Sequence, residues 1–276
     1  MKAVTRFDVA LARMFFITVF GLTSALSAQA QIVDPSNPDN PYDHFGQQHN
    51  EGLDHIIANK DRLGTRPQAL LTNGARLAVE FGCSIVERVP ASSSTSPGRS
   101  AGRRPKGCAS CAGGDALLLA GRIHDISGMT QDEFLASRPL VGLQLEYLNI
   151  IFDVLNQLRT VDPTDPGSIL TGTENVVLTL RAVEAEVMAA MPEDEAALVL
   201  QASSVARHSV VYWGTEMSRP ASDWGSGPGS DPAPLLFINF DDIGKADFAG
   251  LINDGILGAV FASYAELMDQ LGSFWF

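Results

Sequence analysis

PLVGLQLEYLNIIFDVLNQLRTV, residues 139–161, is the stretch whose periodicity sets the fold class. Val141, Leu145, Leu148, Phe152 and Leu155 recur at helical spacing and predict one apolar stripe on a helix from Pro139 to Val161. Glu146, Asn149 and Asp153 interrupt it. A carboxylate at mid-bilayer costs on the order of 2.5–3.5 kcal/mol, so this is a buried helix of a globular body and not a membrane span. The same argument applies to Phe248–Ala262, which carries Asn253 and Asp254. The 139–161 helix is expected to be central.

The flanking sequence repeats the helical signal. Upstream, Asn40 is a candidate N-cap, Pro41 suits a first helical position, and Asp43 falls where the positive helix end favours a carboxylate. Phe45, His49, Leu53 and Ile56 then share a stripe, and a second helix is expected from Pro67 to Val89. Ala116–Ile123 reads as a short apolar helix, and Thr130 with Glu133 as a capping box. Downstream, Asp162–Gly167 is a turn cluster, Thr171 with Glu174 is expected to open a helix, and Pro192 another that reaches about Trp213. Leu235–Phe240 reads as a short extended piece before a last helix over Asp242–Leu271. On that helix Gly250, Gly258 and Ala262 fall at multiples of four, a small-residue stripe that would let a neighbouring helix pack close, with Asp247 and Asp254 one heptad apart.

The expected fold is therefore all-α, a single bundle-like domain of six to eight helices over residues 40–276. Two loose excursions interrupt it: a Ser/Pro/Gly-rich linker at 90–107 and a loop at 218–234. Residues 31–39, rich in Pro, Asn and Asp, are expected to be flexible.

Residues 1–30 read as a signal peptide. Lys2, Arg6 and Arg13 lead, an apolar run from Met14 to Leu22 follows, and Ser27-Ala28-Gln29-Ala30 supplies the small-x-small pattern for cleavage near Ala30. The expected protein is exported, to the periplasm or the medium. The leader carries a net charge of +2, so the whole-chain −13 becomes −13 − 2 = −15 after its removal. Such a charge repels phosphate backbones and anionic lipid, which argues against nucleic-acid binding and leaves a protein partner as the possible one. Arg99, Arg103, Arg104 and Lys106 form a basic cluster, but it lies in the linker without aromatic residues for base stacking.

Cys108-Ala109-Ser110-Cys111 is the sharpest chemical feature. With Cys83 and His124 it has the letters of a three-thiolate, one-imidazole zinc site, but thiols pair in an oxidising compartment, so a structural disulfide involving two of Cys83, Cys108 and Cys111 is preferred. A thiol-redox pair is the third option. His44, His49 and His55 cluster near the start; His49 and His55 are about 120° out of alignment on a helix, so a hydrogen-bonded core role for His49 is preferred to metal binding. Gly98-Arg99-Ser100-Ala101-Gly102 spells a hydrolase elbow without the strand that would strain it. Asp34, Asp39, Asp162 and Asp165 lack the spacing and terminal glutamate of a calcium loop.

Residues Asn40-Pro41-Tyr42-Asp43-x-x-Gly46-x-x-His49-Asn50-x-x-Leu53-Asp54 resemble a motif near the mature N-terminus of a group of uncharacterised secreted bacterial proteins. The closing segment, Lys245–Gly250 through Gly258-Ala259, resembles the Asp- and Gly/Ala-rich C-terminal helix of that group. The resemblance implies export and a helical body and carries no activity, cofactor or catalytic residue. With no nucleophile–base or acid–base constellation standing, the chain reads as a non-enzymatic exported helical protein, binding or structural, with no cofactor. The alternative is a thiol/disulfide or zinc-binding protein centred on Cys108 and Cys111.

Overall fold

The computed structural model describes residues 32–88, 119–121, 131–140, 142–225, 231, 235 and 238–271. These are helical, with no β-strand among them, as the periodicity predicts. The helices are α1 His44–Ala58, α2 Pro67–Arg88, α3 Gln131–Ala136, α4 Leu143–Leu155, α5 Pro166–Ala190, α6 Glu193–Ser218 and α7 Phe240–Leu271. Short 3-10 turns occupy Lys60–Arg62, Asn156–Thr160 and Asp223–Gly225. The leader at 1–30, the linker at 90–107, the capping residue Thr130, Val141, His124, Cys108 and Cys111 lie outside the described residues.

The central element is α6, not the 139–161 helix. From Ala196 to Met217 it is buried around most of its circumference, and α1, α4, α5 and α7 all pack on it. Helix α4 is also shorter than its periodicity suggests. It starts at Leu143 after Gly142, whose φ of 58° is a break, and from Asn156 its last turn tightens into 3-10 geometry. Tyr147, Leu148, Ile151, Phe152 and Leu155 form its buried face.

Two further helix starts move for local reasons. Helix α1 begins at His44 because Asn40 does not cap it: its Oδ1 accepts from Tyr42 N at 2.9 Å, closing a turn before the helix, so Pro41 is a turn residue. Helix α5 begins at Pro166, inside the expected turn cluster, because Asp165 accepts from Gly167 N at 3.0 Å and Pro166 fills the first position. Thr171 and Glu174 are thus interior, and no capping box forms there. Helix α6 follows Pro192 as expected but runs on to Ser218.

The two ends of the chain depart furthest from expectation. Residues 34–37 are pinned: Arg181 Nη2 donates to the carbonyls of Asp34 (2.7 Å) and Ser36 (2.5 Å), and Asn37 is buried. In the 218–234 region, Ser222 and Trp224 are buried, with Trp224 Nε1 donating to Tyr212 Oη at 2.9 Å, while Arg219, Pro220, Asp223 and Asp231 are exposed. Phe240, expected in an extended piece, is the first residue of α7.

Helix α7 is two helices. Asp254 and Gly255 leave helical geometry, Gly255 with φ 65°, a conformation that favours glycine. The small residues consequently face each other instead of a neighbouring helix. A Cβ on Gly250 would stand 2.3 Å from the carbonyl oxygen of Gly258 and 2.8 Å from Ala262 Cβ, a proximity that eight residues of straight helix, about 12 Å long, forbid. The stripe is a packing surface between the two halves of one element. By length and composition Asp242–Leu271 could cross a membrane, yet most of its apolar window is buried within the fold.

Candidate functional site

The densest chemistry lies where α1 meets α6. Three hydrogen bonds recur at one sequence offset. Gly46 N donates to Ser204 Oγ (3.0 Å), Asn50 Nδ2 to the His208 carbonyl (3.0 Å), and Tyr212 Oη to Asp54 Oδ1 (3.1 Å), each pair 158 residues apart. Partners advance together along both helices, so α1 and α6 run parallel and in phase. Four residues bring each helix about one turn, or about 6 Å, further on. Ser204 completes its own bonding by donating to the Asp43 carbonyl at 2.9 Å.

Below this seam lies a buried ionic layer. Arg207 is fully buried; its Nη2 lies 2.6 Å from Asp43 Oδ1 and its Nε 3.0 Å from Glu184 Oε1. Glu184, also fully buried, accepts further from Asn37 Nδ2 (2.5 Å) and Asn40 Nδ2 (2.9 Å); Asn40 Nδ2 also reaches the Leu200 carbonyl. One carboxylate on α5 thereby gathers the residues before α1 and Arg207 of α6. Burying these charges is offset only by their mutual pairing.

His208 Nε2 lies 3.3 Å from Asp43 Oδ1. Burial pushes the imidazole down to about 4, with Asp43 pulling the other way and Arg207 adding to the depression. Burial raises the Asp43 carboxyl, but the Arg207 hydrogen bond and charge, with His208, outweigh it and hold the group below the usual carboxylate range. Burial also raises the Tyr212 phenol far above its ordinary value, so it stays a neutral donor to Asp54.

Beside this layer is a second one. His49 and Asp247 are fully buried with Nε2 and Oδ1 3.5 Å apart, and Ser209 donates to Asp247 Oδ2. The letters Ser, His and Asp are present, but the serine meets the carboxylate instead of the imidazole, so the order of a Ser-His-Asp triad is not formed.

The motif residues are thus brought together. Asn40, Asp43, Gly46, Asn50 and Asp54 each contact α5 or α6, His49 reaches α7, and Leu53 is fully buried in the core. Pro41 and Tyr42 form the turn, with Tyr42 half-buried. His44 is exposed beside Phe45, and His55 stacks near Phe81, so the three early histidines do not converge. Among the described residues no group of three His, Cys, Asp or Glu side chains is placed to hold a metal ion. Cys83 sits half-buried on α2 against the core; its expected partners lie outside the described residues.

Sequence reading missed Asn37, Glu184, Ser204, Arg207, His208 and Ser209. Their signal is Arg207-His208 in the middle of a helix that is apolar or small on every face, a place where charge is tolerated only when paired. The chain matches no family model, no curated protein and no solved structure.

Proposed function

We propose that this is an exported, non-enzymatic helical protein whose clustered polar residues build its interior instead of a reaction centre, and whose role is binding or structural. The observation that carries this reading is burial. His49, Glu184, Arg207 and Asp247 are fully buried, and each is engaged by or faces another group of the same chain. Chemistry on a substrate requires those atoms to be reachable, and here protein fills the space. A cavity of about 130 Å³ lies elsewhere, among Leu158, Val161, Ile169, Met217 and Ile238, without any of these side chains in its wall.

His49→Ala and His208→Ala test the reading in protein recovered from the periplasm or medium. The expected result is a lower melting temperature with any assayed binding unchanged. Loss of binding or of an activity at unaltered stability would replace it with a functional site. N-terminal sequencing of the recovered protein is expected to begin at Gln31; an intact leader would remove export by cleavage. Thiol titration in denaturant is expected to find one free thiol for three cysteines, whereas stoichiometric zinc would favour the thiol or metal alternative at Cys108 and Cys111.

A further inference from the structure

The hydrogen-bond chain around His49 fixes where its protons are. Asn50 Nδ2 points at the carbonyl of His208, which can only accept, so the amide orientation is determined and Asn50 Oδ1 faces His49. That oxygen lies 3.0 Å from His49 Nδ1 and also can only accept. Nδ1 therefore carries a hydrogen. If the ring were neutral, Nε2 would be a bare lone pair, and it lies 3.5 Å from Asp247 Oδ1 with both side chains fully buried. Neither atom has another hydrogen-bond partner, and the single hydroxyl hydrogen of Ser209 is already directed at Asp247 Oδ2. A lone pair facing a carboxylate oxygen with no hydrogen between them is repulsive.

We propose that His49 and Asp247 hold one proton between them, forming a buried proton-binding clasp between α1 and the first half of α7 that loosens as the pH rises. The proton resides either on Nε2, giving an imidazolium–carboxylate pair, or on Oδ1, giving a neutral pair. Both forms leave the pair with zero net charge, and both supply the missing donor. In the unfolded chain at pH 8 an ordinary histidine is neutral and an ordinary aspartate ionised, so the same two residues carry −1. Folding then takes up one proton.

The surroundings favour keeping it. Asp43 from the start of α1 and Glu184 from α5 bring two carboxylates against the single guanidinium of Arg207 on α6. His208, the other imidazole near His49, stays neutral through burial, and Glu266 on the second half of α7 senses Asp247. From α4, Phe152 packs on Phe248 beside Asp247; on α2, Glu80 is engaged outward by Arg62. The region already has an excess of negative charge, and releasing the proton would add to it.

The test is the pH dependence of unfolding in the full chain, with Asp247→Asn as the comparison. In the parent protein the unfolding constant is expected to rise by up to tenfold per pH unit between pH 7 and 9, the slope for one proton released. Asparagine can donate from Nδ2 to His49 Nε2 and accept from Ser209 through Oδ1, so the variant needs no extra proton and that slope is expected to vanish. A parent profile that is flat, or an equal slope in the variant, would overturn the proposal. Where the variant does not fold, nitrogen-detected magnetic resonance of the parent at pH 8 decides. A His49 ring carrying hydrogen on both nitrogens, or one protonated at Nδ1 beside a protonated Asp247 carboxyl, supports the clasp; a neutral ring beside an ionised Asp247 overturns it.

Discussion

Gly46 rests directly on the imidazole of His208: a Cβ at Gly46 would stand 2.4 Å from His208 Cδ2 and 2.5 Å from the Ser204 carbonyl oxygen. The second contact is backbone and cannot swing away. Gly46→Ala is therefore expected to destabilise by about 2 kcal/mol, overpacking outweighing the roughly 1 kcal/mol that alanine gains in a helix. Denaturant melts check it, and an equal or higher midpoint would mean that α1 stands further from α6.

The Arg207 pairs make the layer intolerant of partial removal. Arg207→Ala leaves Asp43 and Glu184 buried without their cation, and a loss of about 3–5 kcal/mol is expected, a large part of the roughly 5–15 kcal/mol that holds an ordinary domain folded. Asn40→Ala removes three hydrogen bonds with neutral donors, to Glu184, to the Leu200 carbonyl and from Tyr42 N, and should cost less, about 1–3 kcal/mol. Calorimetry of both variants checks the order; an Asn40 loss equal to the Arg207 loss would place the main energy in the residues before α1.

Acid should weaken the fold through His208. Its folded value, about 4, lies below the ordinary 6.5, so the unfolded chain binds the extra proton between these pH values. The His208 contribution to stability is full above pH 6.5 and falls away as the pH drops toward 4, by up to about 3 kcal/mol at 1.36 kcal/mol per unit. Asp43, held low by Arg207 and His208 against its burial, adds a further loss at still lower pH. Thermal melts from pH 7 to 4 should show the decline in the parent. A profile as steep in a folded His208→Gln variant would assign the decline to other groups.

The fold class was legible because one-sided apolar periodicity needs only local sequence. Phe45, His49, Leu53 and Ile56 show it, with the last three buried on one face of α1. Site residues were legible only on one side. The letters Asn40, Asp43, Gly46 and Asn50 were visible as a pattern, whereas the atoms they meet, on Glu184, Ser204, Arg207 and His208, lie more than a hundred residues away. No spacing rule relates such positions. The turn in α7 was missed for the opposite reason: Gly255 lies inside an otherwise unbroken helical pattern, and a single glycine there is compatible with helix at a cost of only about 1 kcal/mol.

Gly258→Leu follows from that turn. A side chain at Gly258 would meet the carbonyl oxygen of Gly250 at 2.2 Å, so the two halves of α7 must part. A loss of about 3 kcal/mol is expected, despite leucine's better helix propensity. An unchanged melt would show the halves to be separated in solution.

The constant offset between α1 and α6 also fixes which length changes the chain can absorb. Gly46, Asn50 and Asp54 meet Ser204, His208 and Tyr212 through the angular phase of two helices, not through the number of residues joining them. One residue inserted between Ser204 and Tyr212 would rotate the second half of the seam by about 100° and unfasten it, as would one inserted between Gly46 and Asp54. Additions or deletions in the loops that join the intervening helices leave that phase unchanged, whereas one within α5 would displace Glu184 from Arg207. The pairing behaves as a zip whose teeth are cut into two short rods, indifferent to slack in the loops between helices.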